Sequence, residues 1–346
     1  MTTAIVVTSI SEPNEGLRAL ARGCAQAGHT FIVIGDESSP ADFQLANCCF
    51  YNLNAQFATG FRFAELCRQK HYARKNIGYL IAAQQAVETI VETDDDNIPT
   101  ELFWQQRQPS ISTGIIERGG WINVFRYFAE SNIWPRGFPL DHLQSEPPSF
   151  ESLPVGDVRC PIQQGLTDRD ADVDAIYRLT IPSQHSFRKD REVALTTGSW
   201  CPFNSQNTTW WKEALPLMYL PAYCSFRMTD IWRSFVAQRI AWTNNWGVLF
   251  HGPTVVHERN DHDLLSDFRD EIPGYLHNAQ ICQALEALPL KSGVENIADN
   301  IRSCYEKLVS MNLVGQKEIE LLDAWLSDLH DIRSSELSSL TVPKAT

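Results

Sequence analysis

The chain opens with two short apolar runs on either side of an amphipathic segment. Ala4 to Ile10 is a continuous β-rich run, Glu15 to Ala27 has helical periodicity ending at Gly28, and Thr30 to Ile34 is apolar until Gly35-Asp36 stops it. Strand, helix, strand in this order predicts an α/β fold with a mostly parallel central sheet. Ligands of such sheets sit outside the carboxyl ends of the strands, which puts Thr8 and Asp36 on the ligand side. Asn47 to Leu53 gives a third short strand. A helix over Asn76 to Val87 then feeds a strand over Thr89 to Glu92, which delivers Thr93-Asp-Asp-Asp-Asn97 at its end, before Pro99.

The later pattern is less regular. Pro, Gly and Ser between Trp134 and Asp168 predict a long ordered loop or surface insertion. Asp174 to Leu179 and Val193 to Thr197 have strand composition, Trp200 to Tyr223 favours no element, Thr229 to Trp242 reads as a helix and Gly247 to Phe250 as a strand. Three helices follow, Tyr275 to Leu288, Val294 to Met311 and Gln316 to Ile332, parted at Pro289 and Gly315. The expected division is an α/β catalytic unit over 1–260, a helical subdomain over 261–333 and a flexible tail over 334–346.

Composition narrows the function. The 346 residues carry 29 basic and 42 acidic side chains, a formal charge of -13, which argues against a grip on nucleic-acid backbones or anionic membranes. Nine cysteines without a C-x-x-C pair read as reduced thiols. The start MTTAIVVTSI lacks a basic flank and a long apolar core, and Leu215 to Phe226 is too short to span a bilayer. The expectation is a cytoplasmic chain, with any membrane contact peripheral.

Candidate chemistry centres on Asp94, Asp95 and Asp96. Three adjacent carboxylates at the end of an apolar strand repel unless a cation offsets them, and hard divalent ions take oxygen ligands beside a diphosphate. A solvated acidic turn is the plain alternative. Arg74 and Lys75, just before the helix that leads here, would face phosphate oxygens or the acids themselves, or solvent. Arg136 lies in a Pro-restricted aromatic loop, where it either holds a ligand or is only packed. Asn204, Gln206 and Asn207, followed by Trp210 and Trp211, suit sugar hydroxyls and sugar faces, or a polar turn before core tryptophans. Asp170, Asp172 and Asp174 would share one face if extended. Asp230, at a helix start, is a base toward an acceptor hydroxyl or a cap. His257 is a third metal ligand or a loop histidine.

Taken in order, RKNIGYL (Arg74 to Leu80), ETDDDN (Glu92 to Asn97), WPRGFPL (Trp134 to Leu140), DVDAIYRLT (Asp172 to Thr180), FNSQNT (Phe203 to Thr208) and FRMTDIWR (Phe226 to Arg233) resemble the STELLO-like family of glycosyltransferases. More distantly they resemble the plant reversibly glycosylated polypeptides, which include UDP-arabinopyranose mutases. The resemblance spans Ala4 to Asn260 and gives the last helices no weight. It implies a GT-A nucleotide-diphospho-sugar transferase fold, a UDP-sugar donor with Mn2+ or Mg2+, and a glycan, lipid, protein or small-molecule acceptor. Together with the residue readings it gives donor contacts at Thr8, Asp36, Arg74, Lys75, Asp94, Asp95 and Arg136, and metal ligands at Asp94, Asp96 and His257. Asn204, Gln206, Asn207, Trp210, Trp211 and Asp230 would face the acceptor, with Asp230 and Arg136 in the chemistry. The amino-terminal anchor of plant STELLO proteins is not seen in this sequence, so a Golgi location is not carried over. Arg136 matches the segment that bears the self-glycosylated arginine in the mutases, which keeps a mutase reading open. A catalytically silent nucleotide-sugar-binding module is the third reading.

Overall fold

A computed structural model describes residues 2–181, 184–258 and 263–341. Its strands are β1 (Thr3–Thr8), β2 (Thr30–Ile34), β3 (Cys49–Tyr51), β4 (Thr89–Thr93), β5 (Asn97–Pro99), β6 (Ser110–Ile116), β7 (Gly120–Trp121), β8 (Val155–Arg169), β9 (Glu192–Leu195), β10 (Ser199–Trp200), β11 (Asn207–Trp211) and β12 (Trp246–His257). The helices are α1 (Glu15–Ala27), α2 (Leu53–Phe57), α3 (Arg62–Leu66), α4 (Lys75–Gln84), α5 (Ala175–Thr180), α6 (Thr229–Thr243), α7 (Leu264–Glu286), α8 (Ile297–Ser310) and α9 (Glu318–Thr341).

The protein is a mixed α/β chain around a ten-stranded sheet of order β3-β2-β1-β4-β11-β8-β6-β9-β12-β5. The first four neighbours are parallel, as the opening pattern predicts, and β11 joins β4 antiparallel with Asn207 opposite Thr93 and Trp211 opposite Thr89. Alternation along β1 sends Ile5 and Val7 to α1 and Ala4 and Val6 to a second, larger core that includes α4. That core also takes in α6, α8 and α9, so the last helices pack into the same apolar interior as the sheet.

Several elements differ from the sequence pattern. The stretch expected as a loop up to Asp168 contains the fifteen-residue β8. It lies between other strands, buried on both faces from Cys160 to Asp168, and its glutamines are satisfied by backbone: Gln163 Nε2 donates to Gln108 O at 2.7 Å. Asp174 to Leu179 is not a strand, because Asp174 caps α5 by accepting from the Tyr177 N–H at 2.8 Å. Asp170, Asp172 and Asp174 therefore do not form one extended acidic face. Asp230 is not a cap either; it sits in the first turn of α6, with Met228 at the N-cap. β12 runs well past Phe250 because a register shift between His251 and Val255 absorbs Pro253. α7 begins eleven residues before Tyr275 and runs through Pro273. Its tertiary contacts outweigh the lost helical bond: Glu271 accepts from Ala175 N at 2.7 Å and Asn278 donates to Gly137 O at 2.7 Å. The expected tail is helical through Thr341, and residues 342–346 lie outside the described ones. No helix among the described residues is long and apolar enough to cross a membrane.

Candidate active site

β1, β2 and β4 run parallel and end side by side, so Ser9, Asp36 and the acidic turn Asp94-Asp95-Asp96 gather at one edge. A cleft of about 400 Å³ opens there, lined by Thr8, Ser9, Asp36, His71, Arg74 and Asp95, with Tyr72 and Phe226 at its aromatic side. The turn is held from several directions. Ser9 Oγ donates to Asp95 Oδ2 at 2.5 Å, Asn97 N–H closes on Asp94 O at 3.3 Å, and Glu258 N–H donates to Asp96 O at 3.0 Å. Gly16 permits the fit of α1 behind it: a Cβ there would lie 2.4 Å from the Asp95 carbonyl oxygen.

Lys75 is fully buried, and its three protons are all used, on Thr93 O at 2.6 Å, Asp94 Oδ1 at 2.8 Å and Ser205 O at 3.0 Å. It neutralises the turn rather than presenting a free cation. Arg74, only 1% exposed, gives Nε to Gln56 Oε1 at 2.8 Å and Nη1 to Cys67 O at 2.7 Å, while its buried Nη2 has no partner. A buried donor without an acceptor costs about 1–3 kcal/mol, and this one belongs to a residue of the cleft wall. Asp36 accepts the His71 N–H at 3.0 Å and so fixes the segment that carries His71 and Tyr72.

Burial raises the pKa of Asp94 despite Lys75, with Asp96 adding repulsion, and lifts Asp95 to about 6 despite Ser9. Asp96 Oδ2 faces His257 Nε2 at 3.2 Å, and His257 Nδ1 lies 2.7 Å from Asp170 O. Burial pulls the imidazole pKa down, but the hydrogen bond and charge of Asp96 outweigh it and raise the value. Among the described residues no three His, Cys, Asp or Glu side chains converge on one cation position. Asp94 and Asp96 still fit a hard divalent ion, which commonly takes one or two carboxylates and completes its shell with water and phosphate. With Nδ1–H donated to a carbonyl, neutral His257 would keep Nε2 as a further donor atom.

A second polar centre adjoins the turn. Arg136 is 6% exposed and all five of its N–H groups have acceptors: Asp172 Oδ1 at 2.8 Å, Asp172 Oδ2 at 3.0 Å, Asp230 Oδ1 at 3.0 Å, Asp230 Oδ2 at 2.9 Å, and Arg227 O. Burial would raise both carboxyls, but Arg136 holds Asp172 and Asp230 below the usual carboxylate range. Asn204 Nδ2 reaches Asp172 at 2.7 Å, and Tyr72 Oη meets Asp230 at 3.3 Å. Ser205 joins the two centres, because its N–H donates to Asp230 at 3.2 Å and its carbonyl accepts from Lys75.

The structure thus brings Thr8, Asp36, Arg74, Lys75, Asp94, Asp95, Asp96 and His257 to one edge and sets Arg136, Asn204, Gln206 and Asp230 against it. The tryptophans lie elsewhere. Trp210 is wholly buried with Nε1 on Glu92 Oε1 at 2.8 Å, and Trp211 lies at the far end of β11, opposite Thr89. Glu92, one register step inside the acidic turn, is claimed by Arg233 in a bidentate pair of 2.8 Å bonds. Sequence reasoning put the end of β1 on the ligand side and named Asp172 and the segment around Ser205 as candidates, but it did not join Ser9, Asp172 or Ser205 to this network, and it missed Tyr72.

These features define an α/β chain with a cleft at the carboxyl ends of parallel strands and the acidic turn beside it. The model of the STELLO glycosyltransferases matches residues 227–341. Two Arabidopsis thaliana proteins, probable glycosyltransferases STELLO2 and STELLO1, are 26% and 25% identical over 344 residues, 94% of this chain. The chain is STELLO-like, a relative of glycosyltransferases. It spans 44% of the length of those two relatives. The family match covers α6 through α9, and so includes the last helices, to which the sequence motifs gave no weight. Among solved structures, the Mycobacterium tuberculosis glucosyl-3-phosphoglycerate synthase aligns over 81% of each chain, at 10% identity and a TM-score of 0.41.

Proposed function

We propose that this chain is a GT-A-type glycosyltransferase that moves a sugar from a UDP-sugar to a separate acceptor with the help of Mn2+ or Mg2+. The observation that carries the reading is the cleft at the ends of β1, β2 and β4, lined by Arg74, whose Nη2 is unpartnered, and by Asp95, with Asp94 and Asp96 on either side of it in the same turn. An arginine fork suits phosphate oxygens, and the neighbouring Tyr72 and Phe226 offer an aromatic side to a nucleobase. Asp94 and Asp96, with His257 beside them, would hold the cation. The ion would offset the negative charge that gathers on the departing diphosphate. Lys75 keeps the acids together before donor and metal arrive.

Asp230 orients the acceptor in this reading. Its oxygens are engaged by Arg136, and a carboxylate held below its usual pKa is a weak proton acceptor. The mutase alternative needs a nitrogen of Arg136 to attack a sugar, which would require breaking the paired contacts to both carboxylates. Transfer to an external acceptor requires no such rearrangement. The test is to incubate the protein with Mn2+, UDP-sugars and separate acceptor pools, then resolve UDP release, donor isomers and glycosylated products by mass spectrometry. Acceptor-dependent product that disappears in Asp96→Asn supports the proposal. Donor isomerisation without acceptor would replace it with the mutase, and UDP binding with no turnover of any donor would replace it with a silent binding module.

A further inference from the structure

A second cleft, of about 370 Å³, lies on the α1 side of the sheet. Its floor includes Asn207, Thr209 and Trp211, which alternate onto one face of β11 and rise along it for about 13 Å at the usual strand spacing. Trp104, Gln105 and Gln106 form part of the wall. Trp104 is seated over Gly23, where any Cβ would collide with the indole, and packs edge-on to Phe103 at 4.9 Å. The cleft is therefore built on a fixed aromatic platform.

Trp211 is 4% exposed, yet its Nε1 has no hydrogen-bond partner. Buried tryptophan nitrogens usually find an acceptor. The lining also decides what class of molecule belongs here. Its one guanidinium, Arg107, is engaged by His251 Nδ1 at 2.9 Å and Glu192 at 3.5 Å, and no lysine lines the cleft, so a phosphate or carboxylate ligand is poorly served. Threonine, glutamine and asparagine side chains make it too polar for a lipid tail. Indole faces beside neutral amides and hydroxyls suit a neutral polyhydroxylated ligand, whose C–H faces stack while its hydroxyls bond.

We propose that this cleft is a glycan-binding groove for a neutral oligosaccharide, whose floor accommodates roughly two or three sugar rings. Trp104 supplies the apolar contact, Trp211 packs into the floor, and Gln105 and Gln106 supply the polar contacts. The groove is separate from the acidic turn and stands whatever reaction occurs there.

The experiment is calorimetric titration and saturation-transfer NMR with cellotriose, xylotriose, mannotriose and galactotriose, with UDP and Mn2+ present in excess. At least one trisaccharide is expected to bind, about tenfold more weakly to Trp104→Ala. The double variant Gln105→Ala/Gln106→Ala, altered only at exposed side chains, is expected to weaken it as well while keeping the wild-type melting temperature. Asp96→Asn should bind the trisaccharide as wild type does. The proposal is overturned if none of the four sugars binds at millimolar concentration, if both groove variants bind as wild type does, or if Asp96→Asn abolishes binding. Loss of transferase activity in Asp96→Asn with trisaccharide binding intact would speak to the acidic turn alone.

Discussion

Arg136 and Asp230 meet through two hydrogen bonds of 3.0 and 2.9 Å, and the same guanidinium grips Asp172 from its other edge. One cation thus binds a buried carboxylate, Asp230, and a partly buried one, Asp172, and the remaining charge is tempered by Asn204, Ser205 and Tyr72. Removing the cation leaves two acids facing each other with little water to screen them. Arg136→Ala is expected to lower stability by about 3–5 kcal/mol, the usual result of breaking a buried pair, as read by urea unfolding. Arg136→Lys should recover only part of this, since a point charge cannot serve both forks. Intact-mass spectra after incubation with UDP-sugars should show no glycosyl adduct on Arg136. A stoichiometric adduct there would restore the mutase.

Arg74 leads to a prediction about the donor. If Nη2 receives a phosphate oxygen, Arg74→Gln forfeits a charge-assisted bond of about 1.5–3 kcal/mol, or roughly 10–100-fold in UDP affinity. Isothermal titration in the presence of Mn2+ checks this, with circular dichroism to confirm the fold. Unchanged affinity would remove Arg74 from the donor site.

The acidic turn was legible because an apolar run, Thr89 to Val91, leads straight into the acids, and this contrast survives any packing. Its neighbours were harder to read. β8 hides Gln163 and Gln164 between strands, where backbone carbonyls rather than water satisfy them, so its polar letters resemble a loop. α7 includes Pro273, and its continuity depends on partners such as Arg227 and Ala175 that are distant in sequence. Asp230 illustrates the same limit: its place in the first turn of α6 was visible, but Arg136 lies 94 residues away. Local pattern reports burial and period, and long-range polar pairing leaves no mark on either.

Two buried groups give opposite pH dependences. Burial, with Arg68 nearby, lowers His71 from 6.5 to about 4, so between these values the unfolded chain holds more protons and stability rises with pH. Burial, only partly offset by Tyr177 and Trp134, raises Asp174 from 3.8 to about 6, so the folded chain holds more protons there and stability falls as pH rises. Each contribution is roughly 2–3 kcal/mol and the two nearly cancel between pH 4 and 6. Relative to wild type, His71→Asn should therefore lose stability as pH rises across this window, while Asp174→Asn, which keeps a capping side chain, should gain it. Urea midpoints at both ends of the window decide the signs.

The opening helix meets the acidic turn at Gly16. Gly16 lies in the first turn of α1, just after Asn14 caps the helix by accepting from Leu17 N at 2.9 Å. A methyl group at Gly16 would come within 2.4 Å of the Asp95 carbonyl oxygen and 3.1 Å of that of Asn97. Both are backbone atoms of the acidic turn and its strand β5, and neither can rotate away. The turn is in turn tied to Ser9, Lys75 and His257, so it cannot shift without disturbing them. Gly16→Ala should then lose about 1–3 kcal/mol by overpacking and also displace the carboxylates that the proposed cation needs. The expected signature is a weaker Mn2+-dependent gain in UDP affinity, alongside a modest fall in melting temperature. A control is Gly60→Ala, at a turn where nothing lies near the added Cβ and the cost is backbone strain alone at φ 75°. That variant should lose stability but keep the metal-dependent gain. If Gly16→Ala also retains it in full, the acidic turn does not depend on its seat against α1.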